Sequence, residues 1–153
     1  MKTVILLRHA DIDAPPSGPA PDNHPLNAAG QARAQALAHV VGTAGVGTVY
    51  VSPAHRTQKT AEPLATALGV TPIQTPALST FASQIAAAGA GAVILVVGHS
   101  NTVPDLIAAL GAASPVPLVQ GHDDLFVATL GTGSPQVLRL KYGAPPVSVA
   151  PTG

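Results

Sequence analysis

The chain has 153 residues, the size of one ordinary domain, and folding at that length buries roughly 70% of the unfolded chain's surface, enough for a single core. Seven Lys/Arg balance seven Asp/Glu, and the basic residues are scattered rather than gathered into a patch, which argues against nucleic acid or an anionic membrane as partner. Cysteine is absent, which excludes disulfides, thiolate metal sites and thiol nucleophiles.

In chain order, Thr3 to Leu7 is a continuous aliphatic run of the kind that forms a strand covered on both faces. The run is shorter than the roughly 7–15 residues of a secretory h-region, and nothing later approaches the ~18–20 residues of a membrane span. A soluble, cytoplasmic protein is the expectation. Aromatics are few and alanines many, so the core is expected to be built from Val, Leu, Ile and Ala. Arg8 and His9 follow the first strand directly. From Asp13 to Pro25 repeated prolines forbid regular structure; a loop of that length is either a lid or binding loop, or a solvated spacer.

Asn27 is a good N-cap, and the helix after it is expected to bury Ala29, Ala32, Ala36, Leu37, Val40 and Val41, spaced by threes and fours. A second strand, Val46 to Ser52, is followed by a helix opened by Pro53, with a stripe of Ala61, Leu64, Ala65 and Leu68 and a kink or break expected at Pro63. Thr71 to Thr75 fits a short edge strand, and Ser79 to Ala88 a short helix. Ala92 to Val97 is the clearest strand, followed by Gly98-His99-Ser100-Asn101 and a helix burying Val103, Leu106, Ile107 and Leu110. Leu125–Leu130 and Gln136–Leu140 form a hairpin around Gly131–Ser134. One domain over residues 1–142 and a loose tail over 143–153 complete the division.

Strands alternating with helices imply parallel βαβ units, whose ligands bind where strands end and helices begin. Arg8, His9, Arg56 and His99 all lie at such places. If their three strands are neighbours, they line one pocket beside the helix that starts near Asn101. Two guanidinium forks and a helix N-terminus call for phosphate oxygens. A neutral imidazole between the arginines is a nucleophile at neutral pH, so His9 could accept a phosphoryl group while His99 donates hydrogen bonds to it.

Leu7-Arg8-His9-Ala10, Leu26-Asn27-Ala28-Ala29-Gly30-Gln31-Ala32-Arg33, Ser52-Pro53-Ala54-His55-Arg56-Thr57-Gln58-Lys59-Thr60-Ala61 and Gly98-His99-Ser100-Asn101-Thr102 together resemble the signature segments of the histidine phosphatase superfamily. The resemblance implies a phosphoglycerate mutase-like α/β fold, a three-layer αβα sandwich around a mostly parallel sheet. It implies His9 as the phosphorylated nucleophile and Arg8, Arg56 and His99 as the phosphate pocket, with backbone near Ser100 contributing. In compactness the chain is similar to the short phosphohistidine phosphatase branch.

One part of the family pattern is missing. Many members carry a general acid in the segment that here runs from Gln74 to Gln84, which contains no carboxylate. Asp11 or Asp13 substitutes, or the substrate is one, such as a phosphoramidate, whose leaving group needs little help. A phosphatase is therefore expected in preference to a mutase, needing no metal or other cofactor and acting on a small phosphorylated compound or a phosphoprotein. The competing classes are a phosphate-binding protein without turnover and a metal-dependent hydrolase using His9, Asp11 and Asp13. The nearby arginine cations oppose the latter. His39 is expected at the solvent edge of the first helix; His24, His55 and His122 are expected at the surface, with the pocket mouth as the alternative, and Asp123-Asp124 is expected to be a turn or strand entry without chemistry.

Overall fold

The computed structural model describes residues 1–145. The first strand, β1 (Lys2–Arg8), sends alternate side chains to opposite faces of the sheet. Val4 and Leu6 enter one apolar cluster with Phe81, Ile85, Ile107 and Phe126, while Ile5 and Leu7 enter another with Leu37, Val49, Leu64 and Leu95. A strand buried on both faces needs helices on both, and that gives the three layers. The helices α1 (Ala28–Val41) and α2 (His55–Leu68) cover one face; α3 (Leu78–Ala87) and α4 (Thr102–Ala109) cover the other.

The remaining strands are β2 (Thr48–Val51), β3 (Ile73–Gln74), β4 (Val93–Gly98), β5 (Asp124–Leu130) and β6 (Gln136–Lys141), in the sheet order β3-β2-β4-β1-β5-β6. The three strands that carry the basic residues are thus adjacent and parallel. Leu7 aligns with Val97 and Val97 with Val51, so Arg8, Gly98 and Ser52 leave the sheet side by side. The β5–β6 hairpin adds two antiparallel strands, and β5 begins where β1 ends, with Leu7 opposite Leu125.

Four expectations need correction. The first helix buries Gly30, Arg33, Ala34, Leu37 and Val41, leaving Ala29, Ala32 and Val40 exposed. Alanine occurs around so much of this helix that its periodicity does not select a face, and the choice is made by Gly30, where a Cβ would collide with the Asp11 carbonyl oxygen. Pro63 neither ends nor splits α2: the apolar residues Ala61, Leu64 and Ala65 are buried on either side of it, and their packing outweighs the lost backbone hydrogen bond. Pro53 precedes the N-cap, Ala54, instead of opening the helix. Both phenylalanines, Phe81 and Phe126, are fully buried among the largest core side chains, so the core is not wholly aliphatic. Of the tail expected to be loose from Gly143, residues 146–153 lie outside the described residues.

Candidate active site

Arg8, His9, Arg56, His99 and Ser100 line one cleft of about 590 Å³ at the carboxyl ends of β1, β2 and β4. The other wall is the proline-rich loop, which contributes Ile12, Pro15, Pro19 and Asp22. That loop is tied down: Arg56 Nη1 donates to Pro21 O at 3.0 Å, His55 N to Asp22 O at 2.7 Å, and His24 Nε2 to Asp13 O at 2.7 Å. It is a wall of the cleft and not a free spacer. A larger cleft of about 730 Å³, between α2 and β3, is lined by neither arginine nor histidine and offers no comparable chemistry.

His9 is 4% exposed, and its Nδ1 lies 2.8 Å from Ala10 O. A carbonyl only accepts, so Nδ1 carries the hydrogen and Nε2 keeps its lone pair. Burial, reinforced by the charges of Arg8, His122 and His99, pushes the imidazole down to about 3, against the opposing pull of the Ala10 carbonyl. His9 is therefore neutral and nucleophilic at any physiological pH. Ala10 N in turn donates to Thr60 Oγ1 at 2.8 Å, which fixes the peptide that orients the ring.

Arg8 is held by backbone. Its Nη1 donates to Gln120 O at 2.9 Å, with Gly121 O at 3.4 Å and Val119 O at 3.5 Å, while its buried Nε has no partner among the described residues. The edge of the guanidinium that suits an oxyanion is left unused by protein. Burial and the nearby Arg56 lower the Arg8 pKa, against the pull of Asp11.

His99 sits 5.4 Å from His9, ring centre to ring centre, and its Nε2 lies 2.8 Å from Ser52 Oγ. The direction of that bond follows from proton accounting. Thr57 Oγ1 lies 3.0 Å from Ser52 O, 2.9 Å from Ala54 O and 2.9 Å from Ser52 Oγ; with its single hydrogen given to a carbonyl, it accepts from Ser52 Oγ. Ser52 has then spent its own hydrogen and accepts from His99 Nε2–H, leaving Nδ1 as the unprotonated nitrogen of neutral His99. Burial first, and then Arg56 and Arg8, lower the His99 pKa; Asp22 opposes them.

Asp11 does not line this cleft. Its carboxylate is paired with the buried Arg33 at 2.6 Å, and Arg33 also donates to Tyr142 O at 2.8 Å. Burial would raise the Asp11 pKa, but the hydrogen bond and charge of Arg33 outweigh it and hold the carboxyl below its usual range. Asp13 accepts from Asn27 Nδ2 at 3.1 Å. His122 was expected at the surface. It is instead half-buried 5.5 Å from the His9 ring, with Nδ1 donating to His9 O at 2.9 Å. The signal for it was the hairpin: an antiparallel strand beside β1 must start at the end where β1 stops. His24 is partly buried, while His39 and His55 are exposed. Asp124, which was assigned no chemistry, is buried and paired with Arg139 and Lys141, each at 2.8 Å. Among the described residues no three His, Asp or Glu side chains gather as a metal-ligand set, and no helix is long and apolar enough to cross a membrane.

A cleft of this kind, in which a buried neutral imidazole and two arginines gather at parallel strand ends, suits phosphoryl chemistry, and comparison with known proteins gives the family. The family model described as histidine phosphatase superfamily (branch 1) matches residues 4–84, which include Arg8, His9 and Arg56 but not His99. The chain belongs to that family, and its class is that of the phosphatase hydrolases. No curated protein matches it. Among solved structures it is similar to a protein histidine phosphatase, SixA, complexed with tungstate, at 20% identity and TM-score 0.72 over 91% of this chain and 96% of that one. It is similar to a SixA of Agrobacterium tumefaciens assigned as a phosphohistidine phosphatase, at 22% identity and TM-score 0.65 over 94% and 98%. It is also similar to a protein of Escherichia coli K-12 assigned as an alpha-ribazole-5'-P phosphatase, at 18% identity and TM-score 0.73 over 92% and 97%. At these identities the likeness is one of fold.

Proposed function

We propose that the protein is a metal-independent phosphatase that works through a phosphohistidine at His9, on small phosphorylated compounds or on phosphohistidine itself, in the cytoplasm. The observation that carries the reading is the hydrogen bond from His9 Nδ1 to Ala10 O, which leaves the Nε2 lone pair free in the cleft that Arg8 also lines. The phosphoryl group transfers in line to Nε2. Its equatorial oxygens, which carry the charge of the transition state, are held by Arg8 and Arg56, with His99 and the backbone near Ser100 and the start of α4 adding donors. Water then displaces the phosphoryl group from His9.

Metal independence follows from the charges. Two guanidinium groups already neutralise the phosphate, and they would repel a divalent ion placed beside it. Asp11, committed to Arg33, serves in this reading as an anchor for the loop after β1 and not as a proton donor.

The test is turnover of an aryl phosphate and of a phosphoramidate in excess EDTA by wild type and His9→Ala. Wild type is expected to keep its rate in EDTA and to form an acid-labile, alkali-stable phosphoprotein; His9→Ala should form none and lose at least about 10³-fold in rate. Turnover abolished by EDTA would establish the metal-dependent class, and oxyanion binding without turnover of any donor would establish the binding protein.

A further inference from the structure

The segment between Gln74 and Gln84 holds no acid, yet the cleft is not without one. We infer that Asp22, carried on the proline-rich loop, is the residue that moves protons to the leaving group and from the attacking water, an inference that rests on the phosphatase reading above.

Asp22 is the only carboxylate among the described residues lining the cleft that contains Arg8, His9, Arg56 and His99. The other carboxylates on the same stretch are already engaged, Asp11 by Arg33 and Asp13 by Asn27. Glu62 lines other pockets, and Asp105 lines one that shares Ser52 and His99 but reaches neither Arg8, His9 nor Arg56. The Asp22 side chain has no hydrogen-bond or ion-pair partner among the described residues, and its charge is felt at His99. Its backbone is nevertheless placed: Asp22 O accepts from His55 N at 2.7 Å, and the preceding Pro21 O accepts from Arg56 at 3.0 Å. Two residues at the start of α2, Arg56 of the cleft and its neighbour His55, therefore hold the loop that bears the carboxyl group. Prolines 15, 19 and 21 restrict that loop, so little entropy is lost in keeping Asp22 at the rim.

The proton inventory closes. In the first step the bond from phosphorus to the leaving oxygen breaks as the bond to His9 Nε2 forms, and the leaving oxygen takes its proton from the Asp22 carboxyl. A dianion arriving beside a carboxylate favours a proton shared between them. In the second step the Asp22 carboxylate takes a proton from water as the water oxygen bonds to phosphorus and the bond to Nε2 breaks. Asp22 ends as it began, and the net reaction is hydrolysis of one ester by one water.

This role is read from the dependence of kcat/KM on leaving group. For Asp22→Asn, kcat/KM is expected to fall by about 10²-fold or more on alkyl phosphates but by less than about fivefold on p-nitrophenyl phosphate, whose leaving group needs no proton. Asp22→Glu should recover part of the alkyl rate, and Asp13→Asn should change both substrates alike. Retained sulfate binding by Asp22→Asn shows that the pocket is still formed. Equal losses on both substrates, or none, would overturn the role of Asp22 while leaving His9 chemistry intact. Absence of turnover and of phosphoprotein in wild type would instead overturn the phosphatase reading, and this inference with it.

Discussion

The hydroxyl pair Ser52 and Thr57 decides what His99 can do. With the Thr57 hydrogen on a carbonyl, Ser52 gives its own to Thr57, and neutral His99 is left with an acceptor at Nδ1. Such a ring can donate a second hydrogen bond, to an oxyanion, only by taking up a proton. Binding of sulfate, which does not itself titrate near neutrality, is thus expected to take up close to one proton at pH 7.5, measured by calorimetry in buffers of different ionisation enthalpy. In Ser52→Ala the ring is free to carry its hydrogen on Nδ1, and the uptake should fall towards zero. Identical proton counts for the two proteins would refute the assigned tautomer.

At the scale of elements, α1 is where the sequence was least legible and where packing is least forgiving. Its apolar positions are mostly alanines, which fit any face, so the periodicity that served well for α4 failed here. The informative residues were the exceptions, Gly30 and Arg33, and their meaning lies in Asp11, a partner distant in sequence and invisible to local pattern. Gly30→Ala should destabilise the fold by about 1–3 kcal/mol in urea titrations, even though alanine is the better helix former by about 1 kcal/mol, because the methyl group would displace the Asp11 carbonyl. Unchanged or raised stability would show that the loop after β1 yields easily. The strands were readable for the opposite reason: β1 and β4 are unbroken β-branched and aliphatic runs, and their ends carry the chemistry, so Arg8, His9 and His99 could be found without knowing the neighbours. Arg56 followed from the start of α2. Asp22 could not be selected, since a proline-rich loop has no period from which to infer direction, and His122 was reachable only through the pairing of the hairpin with β1.

For the molecule as a whole, the cluster of histidines makes stability depend on pH. His9 is held down to about 3 in the folded protein, mainly by burial, and His99 and His122 are lowered for the same first reason. In the unfolded chain each protonates near pH 6.5. Below that value the unfolded state binds protons that the folded state refuses, so stability falls as pH drops from about 6.5 towards 3. Asp11 and Asp124 contribute later, since their lowered folded values release stability only below the ordinary carboxylate range. The urea midpoint should therefore be lower at pH 5.0 than at pH 7.5, and the gap should narrow in His9→Gln but not when the exposed His39 is replaced by Gln. A midpoint flat across that interval would contradict the burial of the cluster.

Arg8, finally, is held by the carbonyls of three successive residues, Val119, Gln120 and Gly121, and Val119 N closes the loop by donating to Ser100 O at 2.9 Å. Carbonyls are the same on every residue, so this grip tolerates changes of the exposed Gln120 side chain, while Val119 is fixed by the core it enters. It does not tolerate changes of length. A one-residue insertion or deletion there would shift the carbonyls relative to the guanidinium and disturb the Ser100 contact in the same stroke, so natural variants of this enzyme should drift at the exposed position 120, keep an apolar residue at the buried position 119, and hold the residue count of the segment constant.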